Sequence, residues 1–576
     1  MLSIIYTFLL LGRVTATPPL PRLLISLTPI FSTPTTTSST SGPEITALNV
    51  TLVLTGAPYT SPLLSHLLNN GATRTINATL SASDSTGPLS LSTHVDKNTS
   101  NAIQFWSVPS GRNIVGDITV RFLAEVPPGL GIGNGPRIDL RRDQGGLIGL
   151  GEGFLPRPAV DEEWDVIVRW ENTDAYPNGI RAVSSLGEGH EVRAQGRPGR
   201  IVDKTYFAVR RLGRWPPWGE DEGESQSQSE NEGPFAMYWV REAPPWDLDR
   251  LGERIKMLTA AVRNFFGEGK DSFRMFWRRA ARGYGGAGGF RSFMMEFTSL
   301  AGEELSIDEL ENLISHESVH GYALMNPVRQ QDVWYREGVA TYYAVMAPFL
   351  AGVVDGDYFV RCMNNNAQAY YTGGTTGLNW TYVLQNYWTS TPLVRTSYFR
   401  GFIYLAQVHG LVQQATDGTK GLDDVVLALY QRYKTDAVTQ GEQFVAAVAE
   451  YVGNTTAAAS FEDMTSGKLV IPATDSFAKY GLKLVRQDAE KLELGFSEAS
   501  FGGVITGLVA GSRAEEAGIR EGDKVVRFWS FSTAADSLNN KMKVVIERDG
   551  QQSTITYSPR SRNKVECYQW VRMGAA

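Results

Sequence analysis

Residues 306–343 read SIDELENLISHESVHGYALMNPVRQQDVWYREGVATYY, and two short patterns inside them decide the fold. In His316-Glu317-Ser318-Val319-His320 the two imidazoles stand at i and i+4. They share one helix face there and can reach a single ion about 2 Å away. Glu317 projects beside that face, where it can act on a water without binding the ion itself. The helix is signalled upstream: Ser306 and Glu309 make a capping box, and Leu310, Leu313 and Ile314 supply a buried stripe. The second pattern, Val333 to Gly338, opens another helix, with Glu337 seventeen positions after His320. That gap allows a turn and an antiparallel return, so Glu337 can meet the same ion. Catalytic zinc usually takes three protein ligands and leaves a position open. Its neighbours Trp334, Tyr342 and Tyr343 argue against the ordinary fate of a glutamate, a solvated surface position. The pattern predicts one zinc per chain on His316, His320 and Glu337, with Glu317 as general base.

Outward from this segment, the chain changes character twice. From Asp247 to Phe266, apolar residues recur at helical spacing (Leu248, Leu251, Ile255, Leu258, Val262, Phe265), and helical patterns dominate to about residue 465. Before Pro244-Pro245 the pattern is short β-branched runs divided by Gly, Pro and Asn: Ala47 to Leu54, Ile118 to Phe122, Trp164 to Trp170 and Tyr206 to Arg210. Residues 33–43 are Ser/Thr-rich and 219–233 polar and acidic, neither able to bury a core. Beyond about residue 478, short strands and turns return. The expected organisation is a leader (1–17), an N-terminal all-β domain (18–244), a mainly helical domain (245–470) and a small β-rich domain (478–562).

On HESVH, on WYREGVATYY (334–343) and on Tyr398-Phe399-Arg400-Gly401, the chain resembles the gluzincin metallopeptidases, and within them the glycyl aminopeptidase family. The resemblance spans roughly 245–465. It implies a thermolysin-like zinc peptidase domain, one zinc held by two His and one Glu, and peptide hydrolysis. Tyr398 matches the tyrosine of the YxKG segment that stabilises the oxyanion in related aminopeptidases; as a residue alone it reads equally as a core tyrosine. Arg400 stands where lysine is usual. Thr341 stands four residues after Glu337, where relatives more often carry a carboxylate that bonds a ligand histidine, and a hydroxyl makes that bond more weakly. The Gly-rich stretch 282–296, RGYGGAGGFRSFMME, reads either as a turn before a strand or, by the resemblance, as an edge strand that pairs with substrate backbone. The family further implies attack at a free N-terminus with a small residue first. A carboxylate would have to meet that ammonium. Glu296 is the candidate, with Glu303 and Glu304 as alternatives. Residues 502–526 resemble a PDZ domain, with Leu494-Gly495-Phe496 in the place of the loop that captures a peptide C-terminus.

Two other classes stay open at this stage: a catalytically silent peptide-binding protein using its cleft and PDZ-like module, and a zinc hydrolase of a non-peptide substrate. The net charge of -7 over 576 residues gives no basic surface for nucleic acid. Leu2 to Leu11 is an apolar run of signal-peptide length, too short to span a bilayer, and Asn49, Asn77, Asn98, Asn379 and Asn454 open glycosylation sequons. A secreted or vacuolar-type protein without stable membrane insertion is expected, with a cytosolic location left open. Cys362 and Cys567, the only cysteines, form no disulfide framework.

Overall fold

A computed structural model describes residues 19–32, 43–56, 61–68, 73–97, 102–126, 139–160, 162–173, 176, 179–219, 233–281, 283–435, 437–529 and 531–574. The expected leader, the Asn98 sequon and nearly all of 33–43 and 219–233 lie outside the described residues. The chain divides into two compact units: 1–128 with 138–210, and 129–137 with 211–576.

The first unit is β-rich, as its alternating runs predict. All four expected strands are present, within Ile45–Thr55, Ile118–Glu125, Trp164–Trp170 and Tyr206–Arg210. The first three join a seven-stranded sheet in which Arg22–Phe31 pairs antiparallel with Ile45–Thr55 and parallel with Trp164–Trp170. Every second residue along Arg22–Phe31 is buried (Leu23, Ile25, Leu27), the period-2 signature of a strand with one face on a core.

In the second unit a five-stranded sheet comprises β1 (Leu212–Trp215), β2 (Phe235–Val240), β3 (Phe273–Arg279), β4 (Gly285–Gly289) and β5 (Ser292–Phe297), in the order β1-β2-β3-β5-β4. β1 and β2, expected with the N-terminal strands, belong here instead. β2 and β3 are parallel neighbours, and a parallel pair needs a long crossover, which α1 (Leu248–Phe265) supplies. A boundary at 244/245 would therefore cut one β-α-β unit. Asp247 caps α1 by accepting from the Arg250 amide.

α2 (Ile307–Val319) carries the Ser306/Glu309 capping box in full, the Ser306 amide donating to Glu309 Oε2 at 2.9 Å and the Glu309 amide to Ser306 Oγ at 3.3 Å. Its Leu310 and Ile314 are buried with Trp215, Met237, Trp277 and Phe293 from the sheet and with Leu251 and Ile255 from α1. α3 (Val333–Leu350) follows, then α4 (Gly356–Thr372) and the 25-residue α5 (Thr391–Ala415). α3 is apolar nearly all round, which suits a helix buried on every side. It crosses α5 backbone to backbone. A Cβ on Gly338 would lie 2.7 Å from Gly401 Cα, and one on Gly401 would lie 2.2 Å from the Trp334 carbonyl oxygen.

The C-terminal module contains a three-stranded antiparallel sheet (Lys524–Phe528, Met542–Arg548, Gln551–Tyr557) around a core of Leu494, Phe496, Ile505, Ile519, Phe531 and Val544. Where a PDZ-like strand is expected near residue 504, a single bridge, Val504 to Lys524, is present. Leu482–Arg486 pairs with Tyr568–Arg572, and Leu482, Leu484, Cys567 and Trp570 are buried in the core of the helices rather than in the module. Both cysteines are free thiols. Among the described residues no helix is long and apolar enough to cross a membrane.

Candidate metal centre

α2 presents His316 in its last turn and ends at His320, while α3 brings Glu337 back in its second turn. Glu337 Oε2 lies 3.4 Å from His316 Nε2 and 3.5 Å from His320 Nε2. Three atoms bound at about 2.1 Å around a tetrahedral ion stand roughly 3.4 Å from one another, so the spacing matches a zinc ligand set. His316 Nε2 and Glu337 Oε2 are buried and make no hydrogen bond, a costly state for polar atoms that a shared cation relieves. By distance alone Glu317 also groups with the two histidines, all three within 4.8 Å. The tighter spacing favours Glu337 as third ligand and leaves Glu317 one step back, free to handle protons.

The electrostatics of the trio are mutual. Burial would push the Glu337 carboxyl up, yet the two imidazoles hold it well below the usual carboxylate range. Burial would likewise lower His320, but the Glu337 charge, aided by Glu317, raises it. Thr341 lies one turn beyond Glu337. Its hydroxyl donates to the Glu337 carbonyl oxygen at 2.7 Å, which leaves a lone pair facing His316 Nδ1 at 3.4 Å. With the proton on Nδ1, Nε2 keeps its lone pair toward Glu337. The contact is long for a hydrogen bond, as a hydroxyl in place of a carboxylate predicts.

Tyr398, on α5, packs its ring parallel to His316, with centroids 5.4 Å apart and planes 16° apart. The Arg395 guanidinium covers the Tyr398 ring at 4.5 Å. Burial and the Glu337 charge push the phenol well above its ordinary value, so it stays protonated. The Gly-rich stretch is an edge strand: β4 is glycine at four of five positions and lies outermost in its sheet. A Cβ on Gly288 would stand 3.8 Å from both Glu317 Oε2 and His320 Cβ, so this strand passes directly beside the predicted general base.

Glu296 is not available for a substrate ammonium. Its Oε1 accepts from Arg278 Nε at 3.0 Å and Nη2 at 2.6 Å, and both residues are buried. A buried guanidinium demands such a partner. Of the alternatives, Glu303 is solvent-exposed, 3.7 Å from Arg527, and the Glu304 side chain lies outside what is described. Arg395 carried no signal in the sequence; its role depends on Asp536 and Tyr398 meeting it in three dimensions.

The site thus joins an edge strand running beside an HExxH helix to a second helix that returns a glutamate. No family model and no curated relative matches the chain. Among solved structures, an aminopeptidase N family protein from Idiomarina loihiensis is similar over 96% of this chain and 98% of its own, with a TM-score of 0.59 at 13% identity. The M1 zinc metallopeptidase from Deinococcus radiodurans covers 78% of this chain and 94% of its own at TM-score 0.45 and 14% identity. Native yeast LTA4 hydrolase covers 78% and 69% at 0.45 and 11%. The first of these shows that the fold is shared along nearly the whole chain.

Proposed function

We propose that the chain is a zinc-dependent metallopeptidase that hydrolyses peptide bonds, an aminopeptidase taking small residues at the first position. The observation that carries this reading is Glu337 Oε2 standing 3.4 and 3.5 Å from the two histidine Nε2 atoms, with Glu317 beside them. His316, His320 and Glu337 would hold the ion. The chemistry a bound zinc supplies is polarisation of the scissile carbonyl and acidification of the attacking water. Glu317 takes the proton of that water and returns it to the leaving amine. Tyr398, held protonated, donates to the developing oxyanion. Thr341 fixes the His316 tautomer, and the glycines of β4 let an extended substrate approach Glu317 closely.

The test separates metal from chemistry. Purified protein should hold about one zinc per chain by elemental analysis. Glu337→Ala should lose it, and Glu317→Gln should keep it while losing turnover. Wild-type turnover in Glu317→Gln would overturn the general-base role. Acetylating the substrate N-terminus should abolish cleavage; equal cleavage of blocked and free peptides makes the enzyme an endopeptidase. The same reading takes the protein to be secreted or vacuolar, supported by the apolar run at 2–11 and by sequon residues Asn49, Asn77, Asn379 and Asn454, all exposed. A mobility shift on endoglycosidase treatment of the native protein checks it.

A further inference from the structure

At the start of α5 lies a small cavity whose polar lining is Arg395, Arg400, Thr375, Thr391 and Thr396, the rest of its wall being mostly apolar. Its volume is about 20 Å³, room for one water-sized occupant and too little for sulfate, phosphate or a carboxylate.

The two guanidinium groups of the lining are not partnered alike. Arg395 is paired with Asp536. Arg400 is 1% exposed, and among the described residues no carboxylate stands within ion-pair distance of it. Its Nη2 donates to the Thr375 carbonyl oxygen at 2.7 Å, and its face lies 6.0 Å from the Trp380 ring. Its Nη1 is buried and has no hydrogen-bond partner at all. Arg400 thus has no carboxylate of its own to pair with among the described residues. Glu498 approaches the cavity at Thr391, where both its oxygens accept from the Thr391 amide and Oε1 also from Thr391 Oγ1, and it makes no ion pair with Arg400. Burial lowers the Arg400 proton affinity somewhat, yet a guanidinium remains charged at neutral pH. A buried cation with an orphaned N–H is costly unless an anion accompanies it. The cavity also lies at the N-terminal turn of the 25-residue α5, the end of a helix that favours negative charge.

We propose that this cavity binds a single halide ion, chloride in solution, held by Arg400 Nη1. Arginine in place of the expected lysine at this position then has a use: its fork reaches the Thr375 carbonyl with one nitrogen and the ion with the other. Because Arg395 both lines the cavity and covers the Tyr398 ring, the ion also steadies the stack that positions Tyr398.

The experiment uses the full chain and does not depend on its being a peptidase. Thermal unfolding is followed at constant ionic strength while sodium gluconate is replaced by sodium chloride. The melting temperature should rise saturably by several degrees, as for any ligand bound only to the native state. Bromide should act as chloride does, and sulfate should not. Arg400→Met should abolish the halide dependence. Should that variant fail to fold, wild-type crystals soaked in bromide provide a second reading, with an anomalous peak expected at hydrogen-bond distance from Arg400 Nη1. Equal melting temperatures in gluconate and chloride, equal stabilisation by sulfate, or no bromide peak in the cavity would each overturn the proposal, leaving a water as occupant.

Discussion

Replacing Gly401 by alanine probes how the crossing of α3 and α5 sets the site. The new methyl would sit 2.2 Å from the Trp334 carbonyl oxygen and 2.8 Å from Gly338 Cα. Ordinary non-bonded contact is about 3.5–4.0 Å, so the helices have to separate by roughly 1 Å. Neither neighbour is a side chain that can rotate away; both are helix backbone. Overpacking of this kind costs about 1–3 kcal/mol. Alanine returns up to about 1 kcal/mol of helix propensity, so the net loss should be up to about 2 kcal/mol. For a unit of this size, with an unfolding entropy of about 2.1 cal/mol/K per residue, that lowers the melting temperature by up to roughly 3 °C. Activity should fall further than stability. Glu337 adjoins Gly338 on one helix and Tyr398 lies three residues before Gly401 on the other, so separation spreads Glu337 and the phenol apart. A 1 Å misplacement is worth on the order of 100-fold in kcat. Calorimetry and steady-state kinetics on the same preparation read both effects. A Gly401→Ala protein with wild-type melting temperature and kcat would refute the claim that this contact holds the site together.

Tyr398→Phe should leave zinc content and KM unchanged and lower kcat on the order of 100-fold, since it removes only an oxyanion donor; an unaltered kcat returns Tyr398 to a packing role. Arg278→Ala strands the buried Glu296 carboxylate and should cost about 3–5 kcal/mol in denaturant unfolding, while Glu296 and Arg278 removed together should cost less than the sum of the single changes. Strict additivity would deny the pair. His409 is stacked on Phe477 at 5.0 Å, accepts from the Leu422 amide at Nδ1, and is lowered by burial to about 4. Its folded value lies below its unfolded one, so its stabilising contribution is whole above pH ~6.5 and is lost as pH falls toward 4, up to about 3 kcal/mol. A His409→Gln variant should show a shallower loss over that window, and an identical pH profile would count against it.

The parts of this fold that were legible in the sequence are those encoded locally. Ser306 and Glu309 make their capping box within four residues, and the spacing of His316 and His320 is a property of one helix turn. Glu337 needed only a return helix, which the apolar run around it announced. The strand runs of the first unit showed by their alternation. Pairings between distant segments left no such trace. Nothing about Phe235–Val240 says that it lies parallel to Phe273–Arg279 rather than with earlier strands, since both choices bury the same apolar residues. Glu296 looked free because its partner Arg278 lies on the neighbouring strand, in register across the sheet. Gly338 and Gly401 are unremarkable alone; only their meeting explains why neither position carries a Cβ.

The pairing of Leu482–Arg486 with Tyr568–Arg572 has a consequence for how this protein is made. Asn364, on α4, clasps the backbone of Trp570 from both sides, Oδ1 accepting from its amide at 2.7 Å and Nδ2 donating to its carbonyl at 2.9 Å. Trp570 and Cys567 then fill the same core as Phe402, Phe477 and the helices around them. During synthesis from the N-terminus those helices emerge well before the tryptophan that completes their interior, and they wait, unfinished, for it. A chain released early from the ribosome would hold every predicted metal ligand and still have a hole beneath the helices that present them.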